Sequence, residues 1–364
     1  MFSTHYTDVL AAIDAIDPIA YGETRNYLAG AVTRLSPYIS RGVINTKQVM
    51  QAVLNKGYQP KQIDSFLKEL AWRDYFQQVW IARGNGLNDY LKQEQLNVSH
   101  HQLPVAVAQA NTGIQALDEA IASLYSTGYM HNHARMYVAA LTCNVAQTHW
   151  LLPARWMYYY LLDADWASNA CSWQWVAGSF SSKKYYANQE NINRYCNTTQ
   201  QSTFLDVPYK QLPTLPAPPV LQNTTAPLLT TTLPPVAPLS VQGNVPTLIY
   251  NFYNLDPLWR RDEAANRILL LEPAHFAQYP VSDKSIIFAL ELSRNIPGIQ
   301  VYTGSFDELV QQYNLQNIYF KEHPLNSHYK GIEEPRDWMF ENVQGYYPSF
   351  FAYWKKCEKQ LAAQ

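Results

Sequence analysis

Ten of the 22 prolines in this chain fall between Asp206 and Pro246, among Thr, Leu and Ala. Proline fixes φ and has no N–H to donate, so such a stretch can neither complete a helix nor sit inside a sheet. It predicts an extended strap or linker without regular structure, and a boundary between the segments on its two sides. The periodicity does differ between them. From Tyr6 to about Tyr195 it is helical throughout: in Lys61–Arg83, Ile63, Phe66, Leu67, Leu70 and Phe76 recur at three- and four-residue spacing, and Leu117–Tyr125 behaves likewise. Beyond Pro246, Thr247–Phe252, Ile268–Glu272, Ile299–Tyr302 and Asn317–Phe320 read as short buried strands. Helical stretches separate them near Ser282–Arg294 and Phe306–Tyr313, and a last helix runs over about Pro348–Gln364. The expected fold class is two-domain, α and α/β: an all-helical domain over 1–200, a Pro-rich linker over 201–246, and a small parallel-sheet, Rossmann-like α/β domain over 247–364.

Charge narrows the function. The 364 residues carry a net charge of −2 with a pI near 6.5, and up to residue 200 fifteen Lys and Arg face fourteen Asp and Glu. Binding nucleic acid through a broad basic surface draws on an excess of Lys and Arg, so any DNA contact must be made by a local site. Cys143, Cys171, Cys196 and Cys357 show no C-x-x-C spacing, which disfavours structural zinc and iron–sulfur clusters. No signal-peptide pattern or membrane-length apolar run is present, and the chain reads as a soluble, cytoplasmic protein. The α/β part lacks G-x-G-x-x-G and G-x-x-x-x-G-K-[ST], so the usual nucleotide sites are not indicated.

Four segments carry candidate chemistry. Asp163-Ala-Asp-Trp-Ala-Ser-Asn169 and Trp173-Gln-Trp-Val-Ala-Gly178 place two carboxylates, an amide and three indoles within sixteen residues. An ordinary helical core has no use for that density; a planar, redox-active ligand has. On a helix, Asn132, Arg135 and Met136 share one face, an amide, a cation and a thioether together. Glu69, Trp72, Arg73 and Phe76 share another at i, i+3, i+4 and i+7, which equally describes a surface Glu69–Arg73 pair beside a core tryptophan. Thr33-Arg34-Leu35-Ser36 puts short hydroxyls near a helix start, suited to phosphate oxygens or to a simple N-cap. His131 and His133 have no third ligand at metal spacing, and no metal is expected.

These segments, with Tyr129-Met-His-Asn-His-Ala-Arg-Met136, resemble the flavin-binding core of the photolyase and cryptochrome family. The resemblance implies FAD held by Tyr21, Thr33, Arg34, Leu35, Ser36, Phe66, Arg73, Asn132, Arg135, Asp163, Asp165 and Asn169. Asn169 would face the redox-active flavin nitrogen and Asp163 would pair with Arg135. Glu69, Trp72, Asn132, Met136 and Trp175 would hold a cyclobutane pyrimidine dimer, with Arg25 as a further DNA contact. Trp173 and Trp150 match the first two members of the family's electron-transfer chain. The third has no counterpart, leaving Tyr158, Tyr159, Tyr160 and Trp156 as candidates. The helical part precedes the α/β part, the reverse of the usual family order. That arrangement is similar to a short, permuted class without an antenna chromophore that repairs single-stranded DNA. The implied protein is a monomeric, light-driven lyase acting on UV-damaged DNA. The alternatives are a cryptochrome-like blue-light sensor and a non-catalytic flavin-binding protein.

Overall fold

The computed structural model describes residues 2–362. It falls into two compact units, one made of residues 1–18, 33–82 and 230–364 and the other of 19–32 and 83–229. These units cut the chain elsewhere than the expected 200 and 246 boundaries. Helical periodicity marks where helices form, but not what they pack on, and the helices between Thr33 and Ala82 belong with the sheet.

In the first unit, five strands form an all-parallel sheet in the order Ile299–Thr303, Asn266–Leu271, Thr247–Tyr250, Ile318–Lys321, Ile332–Glu334. The two strands Thr247–Tyr250 and Asn266–Leu271 are buried at every position, as parallel strands covered on both faces must be, which is why they read as unbroken apolar runs. Ile249, Ile268, Leu270, Phe306, Leu309 and Phe320 form one core on this sheet. The edge strand Ile332–Glu334 escaped sequence reading because it is short, exposed and acidic. The predicted helices form as Asp283–Ser293 and Phe306–Tyr313, the latter opened by a Ser305–Glu308 capping box. The last helix runs Phe350–Leu361 from a Ser349 cap.

At the carboxyl ends of the strands lies a pocket lined by Phe252, Tyr253, Glu272, His275, Asn326 and Tyr329. Aromatic side chains from three strand-end loops build it in place of a glycine-rich turn. Its carboxylate is engaged within the protein, accepting from Tyr329 Oη at 3.1 Å and from the Phe306 N–H at 3.0 Å, with His328 Nε2 at 3.0 Å.

The second unit is helical, with Gln115–Thr127, Asn132–Ala140, Leu151–Tyr160, Trp166–Ala177 and Gln189–Cys196 as its main elements. A π-helical turn, Leu141–Val145, continues the second of these. The proline-rich strap holds two short 3₁₀ turns, Tyr209–Thr214 and Pro219–Leu221. Thr224–Thr225 then pairs with Leu103–Pro104, a two-residue ladder that no periodicity could have announced.

In the first unit the long helix Asp64–Arg83 is fastened by Asp74, which is 5% exposed. Its carboxylate accepts from Thr46 Oγ1 at 2.8 Å and from the Met339 N–H at 2.8 Å, and burial pushes its pKa up to about 6. A carboxyl raised in the native state keeps its proton where the unfolded chain has lost it. Its contribution to stability is therefore full below about pH 4 and falls through about pH 6, a swing on the order of 3 kcal/mol. Asp74→Asn removes this titration, so the variant should gain on the wild type in urea midpoint between about pH 4 and about pH 7. Parallel midpoints across that range would show that Asp74 titrates normally.

Candidate functional site

The candidate residues divide between the two units. In the first, Leu35 and Phe66 are each 2% exposed and set the frame for the Thr33–Ser40 segment and the long helix. Arg34 sits at φ 54, a left-handed conformation uncommon outside glycine, and Leu35 N–H reaches back to Thr33 Oγ1 at 3.4 Å. The helix Ser36–Ser40 follows with Leu35 at its cap and no side-chain capping bond, so the Ser36 hydroxyl is not consumed in starting it. Arg73 pins this segment to the long helix, donating from Nη1 to Ser40 Oγ at 3.0 Å and from Nη2 to the Ser36 carbonyl at 3.5 Å. Gly42, at φ 65, passes so close to the Tyr253 carbonyl that any Cβ would fall 2.4 Å from its oxygen. The neighbouring Arg41 is fully buried with its guanidinium 3.5 Å over the Phe252 ring. Sequence reading missed both.

Trp72 has one ring face covered by the protein itself. Phe350 lies flat on it, centroids 3.7 Å apart and planes at 10°, while Tyr75 and Phe76 flank it at 5.7 and 5.2 Å. One ring face is thus taken by the last helix, a partner nearly 280 positions away that spacing could not reveal. Glu69 is half-buried on the same long helix.

In the second unit, Arg135 donates from Nη1 to Asp163 Oδ2 at 3.0 Å and from Nε to the Met130 carbonyl at 2.8 Å. Asp163 is 6% exposed, so its charge depends on this partner. Asp165 caps the helix Trp166–Ala177, accepting the Ser168 N–H at 2.8 Å. Asn169 donates to the Ala154 carbonyl at 2.7 Å, which directs one amide hydrogen inward and keeps the side-chain oxygen as an acceptor. Ser168 Oγ is buried without a partner. Asn132 is exposed at the start of its helix, Met136 is half-buried, and Trp175 is 38% exposed beside Tyr185 at 5.9 Å. Tyr21 and Arg25 are half-buried at the end of the helix Pro18–Thr24.

Trp173 is buried, yet among the described residues it pairs with no other ring, whereas Trp150 stacks on Trp166 at 6.4 Å and Trp166 meets Tyr158 edge-on at 5.5 Å. Trp166 Nε1 is tied to Asn88 Oδ1 at 3.0 Å. His131 and His133 serve the backbone: His131 Nδ1 accepts the His133 N–H, and His133 Nδ1 bonds the Asn26 carbonyl at 2.8 Å. Among the described residues no group of three His, Cys, Asp or Glu could hold a metal, and no helix is long and apolar enough to cross a membrane.

A flavin fits what these residues offer. Its imide and ring nitrogens need an ion pair at one edge, an amide oxygen facing a ring N–H, and polar groups buried without internal partners. Arg135–Asp163, Asn169 and Ser168 supply them.

Residues 66–210 match the family described as the FAD binding domain of DNA photolyase. The deoxyribodipyrimidine photo-lyase of Alkalihalophilus pseudofirmus is 32% identical over 148 residues, 40% of this chain and 31% of that protein. Cryptochrome DASH of Solanum lycopersicum is 29% identical over 196 residues, 51% of this chain and 32% of that protein. A solved class III photolyase from Agrobacterium tumefaciens aligns with a TM-score of 0.43 at 26% identity, over 52% of this chain and 44% of that one. The chain therefore spans about a third of the length of the curated relatives it matches. Residues 66–210, which contain Glu69, Arg135, Asp163 and Asn169, thus form a domain of the family described as the FAD binding domain of DNA photolyase.

Proposed function

We propose that the protein is a light-driven DNA-repair lyase that splits cyclobutane pyrimidine dimers, with a preference for single-stranded DNA. The observation that carries this reading is the buried Arg135–Asp163 pair within the matched FAD-binding stretch. FAD supplies the excited electron donor when bound. The chain's residues hold and orient. Arg135 and Asp163 fix the flavin edge, Asn169 offers its amide oxygen to a ring N–H, and Thr33, Arg34 and Ser36 face phosphate oxygens, with Arg73 holding their segment in place. Asp165 sets the start of the helix that carries Asn169. In the first unit, Glu69 is a candidate acceptor for the dimer and Trp72 offers its remaining face; in the second, Met136 and Trp175 are candidates to pack on a base and Asn132 to contact its edge. Aromatic surfaces hold extruded bases cheaply because every base has a π-face. With FAD bound, Trp173 and Trp150 would be the candidate electron donors, and Trp150 stacks on Trp166, which meets Tyr158 edge-on.

A second reading, a blue-light flavoprotein sensor without repair activity, is favoured by one observation: several relatives are named cryptochrome DASH. Light-dependent repair of UV-irradiated oligo(dT) separates the two.

Purified protein should release FAD and no second chromophore on heating, since Glu272, the carboxylate of the α/β pocket, already has protein partners. A pterin or deazaflavin in the supernatant would contradict this. Arg135→Ala should lose most of its flavin, measured as the flavin-to-protein absorbance ratio, because Asp163 is left charged and buried.

Glu69→Ala and Met136→His should instead keep their flavin and lower dimer repair by roughly tenfold, the worth of one good hydrogen bond or packing contact. Loss of FAD from the Glu69 variant would place that side chain against the cofactor.

Repair of one T–T dimer should be faster in a single strand than in a duplex at fixed ionic strength. Extruding a dimer from a duplex costs a few kcal/mol that a near-neutral chain has few phosphate contacts to offset. Equal or faster duplex repair would refute the preference.

A further inference from the structure

The last helix, Phe350–Leu361, turns one of two consecutive phenylalanines inward and the other, about 100° round the axis, outward. Phe350 is 2% exposed on Trp72, and Tyr353, Trp354 and Cys357 continue the buried side. Phe351 is 71% exposed, the most open aromatic ring among the described residues. Lys355 and Lys359 follow it at i+4 and i+8, on the same outer stripe and about 6 Å apart along the axis. Lys356 is exposed beside them, and Glu358 is exposed within the stripe. Three lysines against one glutamate leave the helix at +2, in a chain whose total is −2. Just before it, Tyr346 is 48% exposed.

We propose that this outer face is a contact surface for single-stranded DNA, with Phe351 stacking on a base and Lys355 and Lys359 neutralising phosphates. The proposal rests on the repair reading for its partner, but its observations are independent of the flavin. A single exposed phenylalanine is ordinary by itself, and Phe351 keeps only an edge contact to Phe350 at 5.7 Å; what sets it apart is its place in line with Lys355 and Lys359. An aromatic ring interleaved with lysines on a rigid element is the chemistry of sequence-tolerant strand binding, where stacking and phosphate contacts act together. The helix is also firmly seated. Ser349 caps it, Phe350 stacks on Trp72, and Lys68 lies 5.7 Å over the Trp354 ring. The helix thus packs its buried side on the long helix that carries Trp72 and leaves the Phe351–Lys355–Lys359 stripe to solvent.

The test is fluorescence anisotropy of labelled, undamaged oligo(dT) binding to the full chain in the dark over a series of salt concentrations. Phe351→Ala should weaken binding by roughly tenfold without changing the salt slope. The double variant Lys355→Ala/Lys359→Ala should lower the slope by about 1.4, two phosphate contacts at about 0.7 each. Glu358→Gln should tighten binding, a gain that a merely structural role for the helix would not produce. Unchanged circular dichroism would show that the exposed substitutions leave the fold intact. The proposal is overturned if the wild type does not bind oligo(dT), or if all three variants bind as it does. It is equally overturned if the substitutions abolish binding to phosphatidylserine vesicles but leave oligonucleotide binding untouched. The two readings fail separately. Dimer repair with unaltered binding in these variants removes the surface alone, and altered binding without any light-dependent repair removes the lyase alone.

Discussion

Asp74 joins parts of the chain that lie far apart in sequence. Its two oxygens receive a hydroxyl from Thr46 and a backbone N–H from Met339, so one carboxylate ties an early helix, the long helix and the segment after the sheet. Nearby side chains of the same helix repeat the device, with Gln77 accepting from Arg336 and Gln78 from the Gly345 N–H. A buried carboxylate held by two neutral donors is held at a cost, which its raised pKa records. What it secures is geometry: the long helix cannot rotate without stripping Met339 of its acceptor. Arg73, the next residue back, then points at Ser36 and Ser40. Adjacent residues on a helix face directions about 100° apart, so fixing Asp74 inward also fixes Arg73 on its neighbouring face.

The second unit uses the same physics with opposite charges. Asp163 is nearly as buried as Asp74, but it faces a guanidinium, and Arg135 is itself braced by the Met130 carbonyl. Removing one partner of such a pair strands a charge away from water, the costly case, whereas breaking an exposed pair such as Arg294–Glu291 changes little. Polar groups that a helical core would ordinarily avoid are gathered at one end of the helix Trp166–Ala177: the Asp165 cap, the partnerless Ser168 hydroxyl and the Asn169 amide. Asp165 and Asn169 are satisfied within the protein, and the Ser168 hydroxyl is the buried group left over.

How far the sequence reaches depends on the range of each interaction. The central strands were legible because burial on both faces leaves a mark at every residue, and the polar cluster was legible because its members lie within a few helical turns. Arg135 and Asp163 are 28 positions apart, and only the family resemblance linked them. What stayed hidden depends on long-range packing. Phe350 on Trp72, Met339 on Asp74 and Asn88 on Trp166 join distant segments whose local patterns give no sign of it. The same limit moved the unit boundaries. The proline-rich strap holds 3₁₀ turns and a two-residue strand, and the helices between Thr33 and Ala82 join the sheet through contacts that periodicity does not encode. The edge strand Ile332–Glu334 failed for another reason, since an exposed edge needs no apolar signature.

Charge distribution carries the argument about partners further than net charge does. A chain at −2 has no long-range pull on a polyanion, so whatever holds DNA must work at contact distance, where rings and single ammonium groups matter more than the field of the whole molecule. Several of its cations are already committed: Arg336 to Glu322, Arg260 to Glu334, Lys184 to the Leu96 carbonyl, and Arg135 to Asp163. Lysines that remain solvent-exposed on one helix, in line with an exposed ring, therefore weigh more here than they would on a basic protein. A surface of that kind binds weakly and dissociates readily, and it favours strands whose bases are already unstacked.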